Sequence, residues 1–227
     1  MSGGSVGQES TSRRGERRLR GRPPAGAEPV GQVEIMQAAL DAFAAKGFDS
    51  MSVRDLNETL GVSHNYLHRR FGSKLDLWRA VVDHWIGGVD DELHAIADRA
   101  TPGDDPLEVL HRVIVAFVTI NCRQPALFRL VNTEASLPGE RLDYLHDRYI
   151  GPSARGLAAL VARLAPTGAF DSVAPTSLFF LLAHGATAPA AHGPLVAKLT
   201  GDELSSEAID AHARWVADLV VDGLRPR

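Results

Sequence analysis

Apolar residues recur along most of this chain at intervals of three and four, the period of a helix face. Val33, Met36, Leu40 and Phe43 set the first stripe, over about Val33 to Lys46, and Gly47 stands where a helix C-terminus favours glycine. Ser52 is placed to cap a second helix, Val53 to Leu60, with Asp55 in the capping-box position. Gly61 stops it. Ser63 is placed to cap a third, His64 to Phe71. Ser73 does the same for a fourth, with Asp76 three residues on, and this pattern runs unbroken to about Ala97.

Beyond it, Thr101 to Pro106 is a turn cluster, and Asp105-Pro106 opens a helix with Leu107, Leu110, Ile114, Phe117 and Val118 on one face. Pro125 opens another, to Ser136, which Pro138-Gly139 breaks. Glu140 to Leu164 follows, kinked or split at Gly151-Pro152. A helix from Asp171 or Ser172 to about Ala188 and a last one from Glu207 to Leu224 complete the series. On the last, Ile209, His212, Val216, Leu219 and Gly223 form a stripe that Ala208, Trp215 and Val220 widen. No stretch alternates with period two, and no hairpin signal or internal repeat occurs. The pattern predicts an all-α protein of about nine helices.

Composition narrows the class. Of 227 residues, 44% are hydrophobic and 23% charged, enough for a real core. The single cysteine, Cys122, permits no intramolecular disulfide and no cysteine-based zinc site. No run of 18 apolar residues is present, and no apolar segment follows the N-terminal arginines, so a cytoplasmic protein is expected.

The formal charge of −4 argues against nucleic acid only when averaged. Residues 1–30 carry six arginines against three acidic residues, whereas residues 79–227 carry 13 basic against 19 acidic. The first 28 residues are Gly, Ser, Arg, Glu and Pro with little to bury, and read as a disordered basic arm. Within it Arg20-Gly21-Arg22-Pro23 suits a DNA minor groove, two arginines on an extended backbone.

Three short helices in about 45 residues, with a glycine-centred turn between the second and third, make a helix-turn-helix. In the turn, Leu60-Gly61-Val62-Ser63, Gly61 supplies the positive φ. Leu67 and Phe71 face inward, which leaves His64, Asn65, Tyr66, His68, Arg69 and Arg70 for bases and phosphates. Ser52, Arg54, Ser63 and Lys74, at helix starts, complete the candidate DNA-contacting set with Arg20 and Arg22.

Ser52, Leu56, Leu60-Gly61-Val62-Ser63, Leu67, Phe71-Gly72-Ser73-Lys74 and Leu77 together resemble the DNA-binding domain of the TetR family of bacterial transcriptional regulators. The resemblance is specific over residues 30–80; beyond them length, architecture, Leu199-Thr200-Gly201 and Gly223-Leu224 agree. It implies an all-α regulator, a homodimer on a palindromic operator, repression as the usual mode, and release by a small molecule held in the second domain. The division expected is a basic arm (1–28), a DNA-binding domain (29–76) and an effector-binding and dimerisation domain (77–227). Ser52 stands where the family usually has Thr, Tyr66 where Thr or Ser is usual, His68 at a position usually Tyr, and Arg70 at one usually His or Tyr. Lys74 matches the family lysine, and Asn65 replaces a usual Gly or Ala, so an unusual operator is expected.

Other readings of these residues are weaker. His64 and His68 have metal-ligand spacing, but the glutamate of a zinc protease motif and a third ligand are missing, so no metal or cofactor is expected. No nucleophile elbow, P-loop or dinucleotide motif appears, and the remaining histidines are scattered, so an enzyme is not expected. A helical regulator controlled by a protein partner is the stronger rival.

For the effector site, Phe117, Asn121, Phe128, Tyr144 and His184 are the candidates, aromatic and polar residues on or near apolar faces. Small residues at Ala183, Gly185, Ala186, Ala188, Ala208, Ala211 and Ala217 suit close approach of the last two helices in a four-helix dimer interface. The unbroken fourth helix would transmit effector binding to the spacing of the two recognition helices, roughly 34–36 Å on one DNA turn.

Overall fold

The computed structural model describes residues 30–101, 103–164 and 174–224. Among them there is no strand. The helices are α1 (Gln32–Ser50), α2 (Val53–Thr59), α3 (Tyr66–Phe71), α4 (Lys74–Asp98), α5 (Pro106–Arg123), α6 (Pro125–Ala135), α7 (Glu140–Leu145), α8 (Gly151–Leu164), α9 (Pro175–Phe180), α10 (Ala188–Ala191), α11 (Gly193–Thr200) and α12 (Ser206–Leu224). Two segments take the wider π geometry: His146–Ile150, joining α7 to α8, and Leu181–Ala186, following α9. The kink expected at Gly151-Pro152 is thus a widened turn just before it.

Local chemistry sets most boundaries. Ser52 Oγ accepts from Asp55 N at 3.2 Å to start α2. At α4 the capping box closes both ways: Asp76 N donates to Ser73 Oγ (3.0 Å), and the Asp76 carboxylate accepts from Ser73 N (3.1 Å) and Oγ (2.6 Å). These bonds, the hydroxyl first, hold the Asp76 carboxyl below its usual 3.8. Asp105 accepts from Leu107 N at 2.9 Å, with Pro106 in the first turn of α5. Gly47, at φ 73°, breaks the helical path inside α1.

Several expectations are corrected. Val33 is 64% exposed; α1 buries Ile35, Met36, Ala39, Leu40 and Phe43 because that face meets α4 and α6. α10 and α11 come in addition to the predicted stretches: Gly193-Pro194 looks like a turn, yet proline is tolerated in a helix's first turn. The predicted start at Asp171 or Ser172 lies outside the described residues, as do residues 1–28; the described helix opens at Pro175.

Two apolar clusters form the core of the described residues. One, the head, joins α1 to α4 and includes Phe43, Leu56, Leu67, Trp78 and Val81. Leu127 and Leu130 of α6, Leu145 of α7 and Tyr149 belong to it as well. Packing therefore runs straight through the expected boundary at 76/77. The other, the body, centres on α5 against α12, with Leu110, Ile114 and Val118 facing Ala213, Val216 and Ala217.

α12 is apolar on two sides. Ile209, Ala213, Val216 and Ala217 are buried in the subunit, whereas Trp215 (61%) and Leu219 (58%) face outward with exposed Ala208 and Ala211. Of the small residues expected at an interface, Ala186 and Ala217 are consumed inside the subunit core.

Candidate nucleic-acid interface and effector cavity

The turn between α2 and α3 is organised by a residue the sequence pattern passed over. Asn57 is 1% exposed. Its Nδ2 donates to His64 O at 2.9 Å, and its Oδ1 accepts from Leu67 N at 3.2 Å. Val62 N adds a bond to Asn57 O, and Gly61 takes φ 67°. Asn57 thereby does at α3 what Ser63 was expected to do. The recognition helix starts at Tyr66, two residues later than predicted, with Tyr66 N on Ser63 O at 2.9 Å. The missed signal was Asn57 itself, four residues after Val53 on a face otherwise apolar.

His64 and Asn65 consequently lie in the turn, not on the helix, and His64 and His68 do not share a helical i, i+4 face. Among the described residues no group of three or more His, Cys, Asp or Glu is placed to hold a metal ion. Ser63, His64, Asn65, His68, Arg69 and Arg70 are all exposed, and Tyr66 is half-buried.

The flanking cations are held in place. Arg70 donates to Tyr66 Oη and to Gln32 Oε1, both at 3.0 Å, which ties α3 to the start of α1. Lys74 Nζ donates to Asp49 O at 3.1 Å and sits 4.7 Å over the Phe48 ring. Arg54 pairs with Glu58 at 3.6 Å on the exposed side of α2, beside the capping Ser52. Arg20 and Arg22 lie outside the described residues.

Two adjoining cavities lie among α4, α5, α6, α8, α9 and the π segments, the larger bordered by both clusters. The larger, about 470 Å³, is lined by Phe117, Asn121, Phe128 and His184, four of the five residues expected there. The smaller, about 290 Å³, is lined by Val109, Ile114, Phe117, Leu157 and Leu160. Asp90, Leu93, Phe117, Ser153 and Phe179 line both.

Tyr144 is the exception. It lines neither cavity: its ring packs edge-on against Trp78 at 5.9 Å and its hydroxyl donates to Asp83 Oδ1 at 2.6 Å. A helix of six residues before the π segment turns it toward α4, which periodicity alone could not show. Tyr149, within the π segment that follows, does line the larger cavity and donates to the same Asp83 oxygen at 2.6 Å. Arg148 Nε reaches that oxygen at 3.2 Å. Burial, then hydrogen bonding to Asp83, pushes both tyrosines up to about 12, so they stay neutral donors across the physiological range. A carboxylate on α4 is thus tied to a residue in the cavity wall.

Residues 35–81 match the family described as bacterial regulatory proteins, tetR family. An HTH-type transcriptional repressor of Mycobacterium tuberculosis is 31% identical over 196 residues, covering 84% of this chain and 91% of the relative. The HTH-type regulator BetI of Rhizobium meliloti is 33% identical over 81 residues, 35% of this chain and 40% of its own length. Among solved structures, the ketosteroid transcriptional regulator KstR2 of Mycobacterium tuberculosis superposes with a TM-score of 0.67 at 17% identity, covering 86% of this chain and 95% of its own. The fatty acid degradation regulator FadR from Bacillus halodurans gives 0.61 at 17%, covering 84% and 98%. With the helix-turn-helix and the helical body in place, the chain belongs to the TetR family and is a transcriptional regulator.

Proposed function

We propose that this regulator is a cytoplasmic repressor that binds a palindromic operator as a homodimer and is released when a small molecule enters the body. Arg69, His68, His64 and Asn65 meet base edges and nearby phosphates, while Ser52, Arg54, Ser63, Tyr66, Arg70 and Lys74 set the docking on the backbone. Arg20 and Arg22 reach the adjacent minor groove. Residues 29–76 form the DNA-contacting unit and residues 77–227 the effector and dimer unit, although they share a core. Exposed Phe180, Leu181, Trp215 and Leu219 supply the apolar surface for the second copy. No single described helix is long and apolar enough to cross a membrane.

The observation that carries the reading is Tyr149. It lines the cavity and grips Asp83 on α4, the helix that starts beside the recognition helix. A ligand that displaces Tyr149 shifts α4, and with it the head, only by binding the shifted state better. Footprinting on DNA upstream of its own gene, with sedimentation to fix stoichiometry, tests the reading. A symmetric footprint from two subunits is expected. Binding as a monomer to an asymmetric site would overturn it.

A further inference from the structure

Resting on the reading of the body as an effector receptor, we infer the chemical class of the effector. It is a neutral, elongated, mainly apolar molecule with one uncharged oxygen, lying across both cavities with that oxygen in the larger one.

The shape comes first. The two spaces, about 470 and 290 Å³, share five wall residues, Phe117 and Phe179 among them, and so adjoin, which suits a ligand long enough to span both. The larger lobe, about 470 Å³, falls in the roughly 300–1,000 Å³ range of drug-sized ligand sites, more than a small metabolite fills. Its walls are chiefly aliphatic and aromatic, so an apolar chain or ring system gains by displacing water there.

Polarity sets the orientation. Asn121 and Asn132 line only the larger lobe. Asn121 Nδ2 donates to Phe117 O at 2.8 Å, and Asn132 Nδ2 to Phe128 O at 3.0 Å. Each bond pins an amide by one hydrogen and leaves a second N–H to donate. A ligand carbonyl or hydroxyl oxygen is the matching acceptor.

Charge argues against an anion. Among the described residues no lysine or arginine lines the larger lobe, and its only potential cations are His146 and His184, so a carboxylate buried there lacks a permanent cationic partner. The Asp90 carboxylate lines both spaces and repels an anion in either. Arg163, the guanidinium of the smaller lobe, is exposed, where solvent screens it. Asp90 accepts from Ser153 Oγ at 3.0 Å and lies 3.6 Å from His94 Nδ1, so the ammonium probe below tests whether its remaining charge draws a cation instead.

Calorimetry on the full chain, with undecan-2-one, decanoate, decyltrimethylammonium and heptan-2-one as probes, tests this. Undecan-2-one should bind once per subunit, at least tenfold tighter than each of the other three. Leu160→Trp, which fills the smaller lobe, should weaken undecan-2-one at least tenfold more than heptan-2-one. Asp90→Asn should raise the ratio of decanoate to undecan-2-one affinity about tenfold, with a melting curve confirming that the variant folds. Decanoate or the ammonium binding as tightly as the ketone overturns the inference, as does no ketone binding or a Leu160→Trp protein with unchanged length preference. Operator release is scored separately. Ketone binding that leaves the operator bound supports the ligand class and overturns release by effector.

Discussion

The head and the body are built from the same kind of helix but filled differently. In the head, Phe43, Trp78 and Val81 are at most 1% exposed, and the buried polar side chain Asn57 is bonded at both ends. In the body, aromatic side chains such as Phe117 and Phe179 edge a chamber, and the helices around it widen into π turns at His146–Ile150 and Leu181–Ala186. A π turn opens helix packing at the cost of weaker hydrogen bonding and recurs at functional sites. The contrast teaches where each task needs rigidity. Reading DNA requires side chains held at fixed spacing; admitting a ligand requires unfilled volume.

The comparison is broken most severely by Trp78→Ala. It removes the largest fully buried side chain of the head and should cost about 3–5 kcal/mol in urea denaturation. A loss under about 1 kcal/mol would show that the head is not the densely packed unit described.

A paired experiment sharpens it. Val81→Phe, in the head at 0% exposure, should cost about 1–3 kcal/mol by overpacking. Val131→Phe, in the wall of the larger cavity where it borders the head cluster, should change stability by less than about 1 kcal/mol while blocking ligand uptake. Equal penalties would remove the distinction between a full and a hollow region.

Gly151→Ala probes the widened turn. An added Cβ would lie 2.8 Å from His146 O, a backbone atom with little room to yield. A loss of about 1–3 kcal/mol is expected, read by thermal melting together with ligand uptake. An unperturbed protein would mean the π geometry at His146–Ile150 is not constrained by that glycine.

Lys74→Ala should cost no more than about 1 kcal/mol of stability, from its Asp49 and Phe48 contacts, and flatten the salt dependence of operator binding by about one phosphate contact. Arg69→Ala should instead alter which operator sequences bind, as a competition assay on base-substituted sites would report. A uniform loss for Arg69→Ala would move it to the backbone-contacting group.

The smallest effect concerns pH. Asp76 has a folded-state pKa below its unfolded value because the Ser73 hydroxyl and backbone hold the carboxylate. Its contribution is therefore present above pH 3.8 and lost as pH falls through the lower folded value. Melting curves between pH 6 and 3 should show a shallower acid decline in Asp76→Asn than in the parent. Identical declines would show that the capping box carries no pH-dependent stability.

Much of this was legible along the chain. Ser52, Ser73-Asp76 and Asp105-Pro106 act within three residues, so their helix starts follow from local hydrogen bonding. Asn57 was not legible as a clasp because its partners, His64 and Leu67, come near only when the turn closes. Phe117, Asn121, Phe128 and His184 come together in one cavity wall, and helical spacing already places Phe117 and Asn121 on one face. Tyr144 was misplaced and Tyr149 overlooked for one reason: the π segment shifts the register after α7, and a 3.6-residue period cannot anticipate that.

The sequence alone thus determined the helical class, the helix-turn-helix and its exposed basic and polar side chains, because these depend on periodicity and contacts between near neighbours. Tertiary structure decided that α6, α7 and the head share a core, which face of α12 stays open, and that Asp83 links the cavity wall to α4. Each of these joins residues more than thirty positions apart, or a helix to its surroundings, and only packing in three dimensions brings such groups into contact.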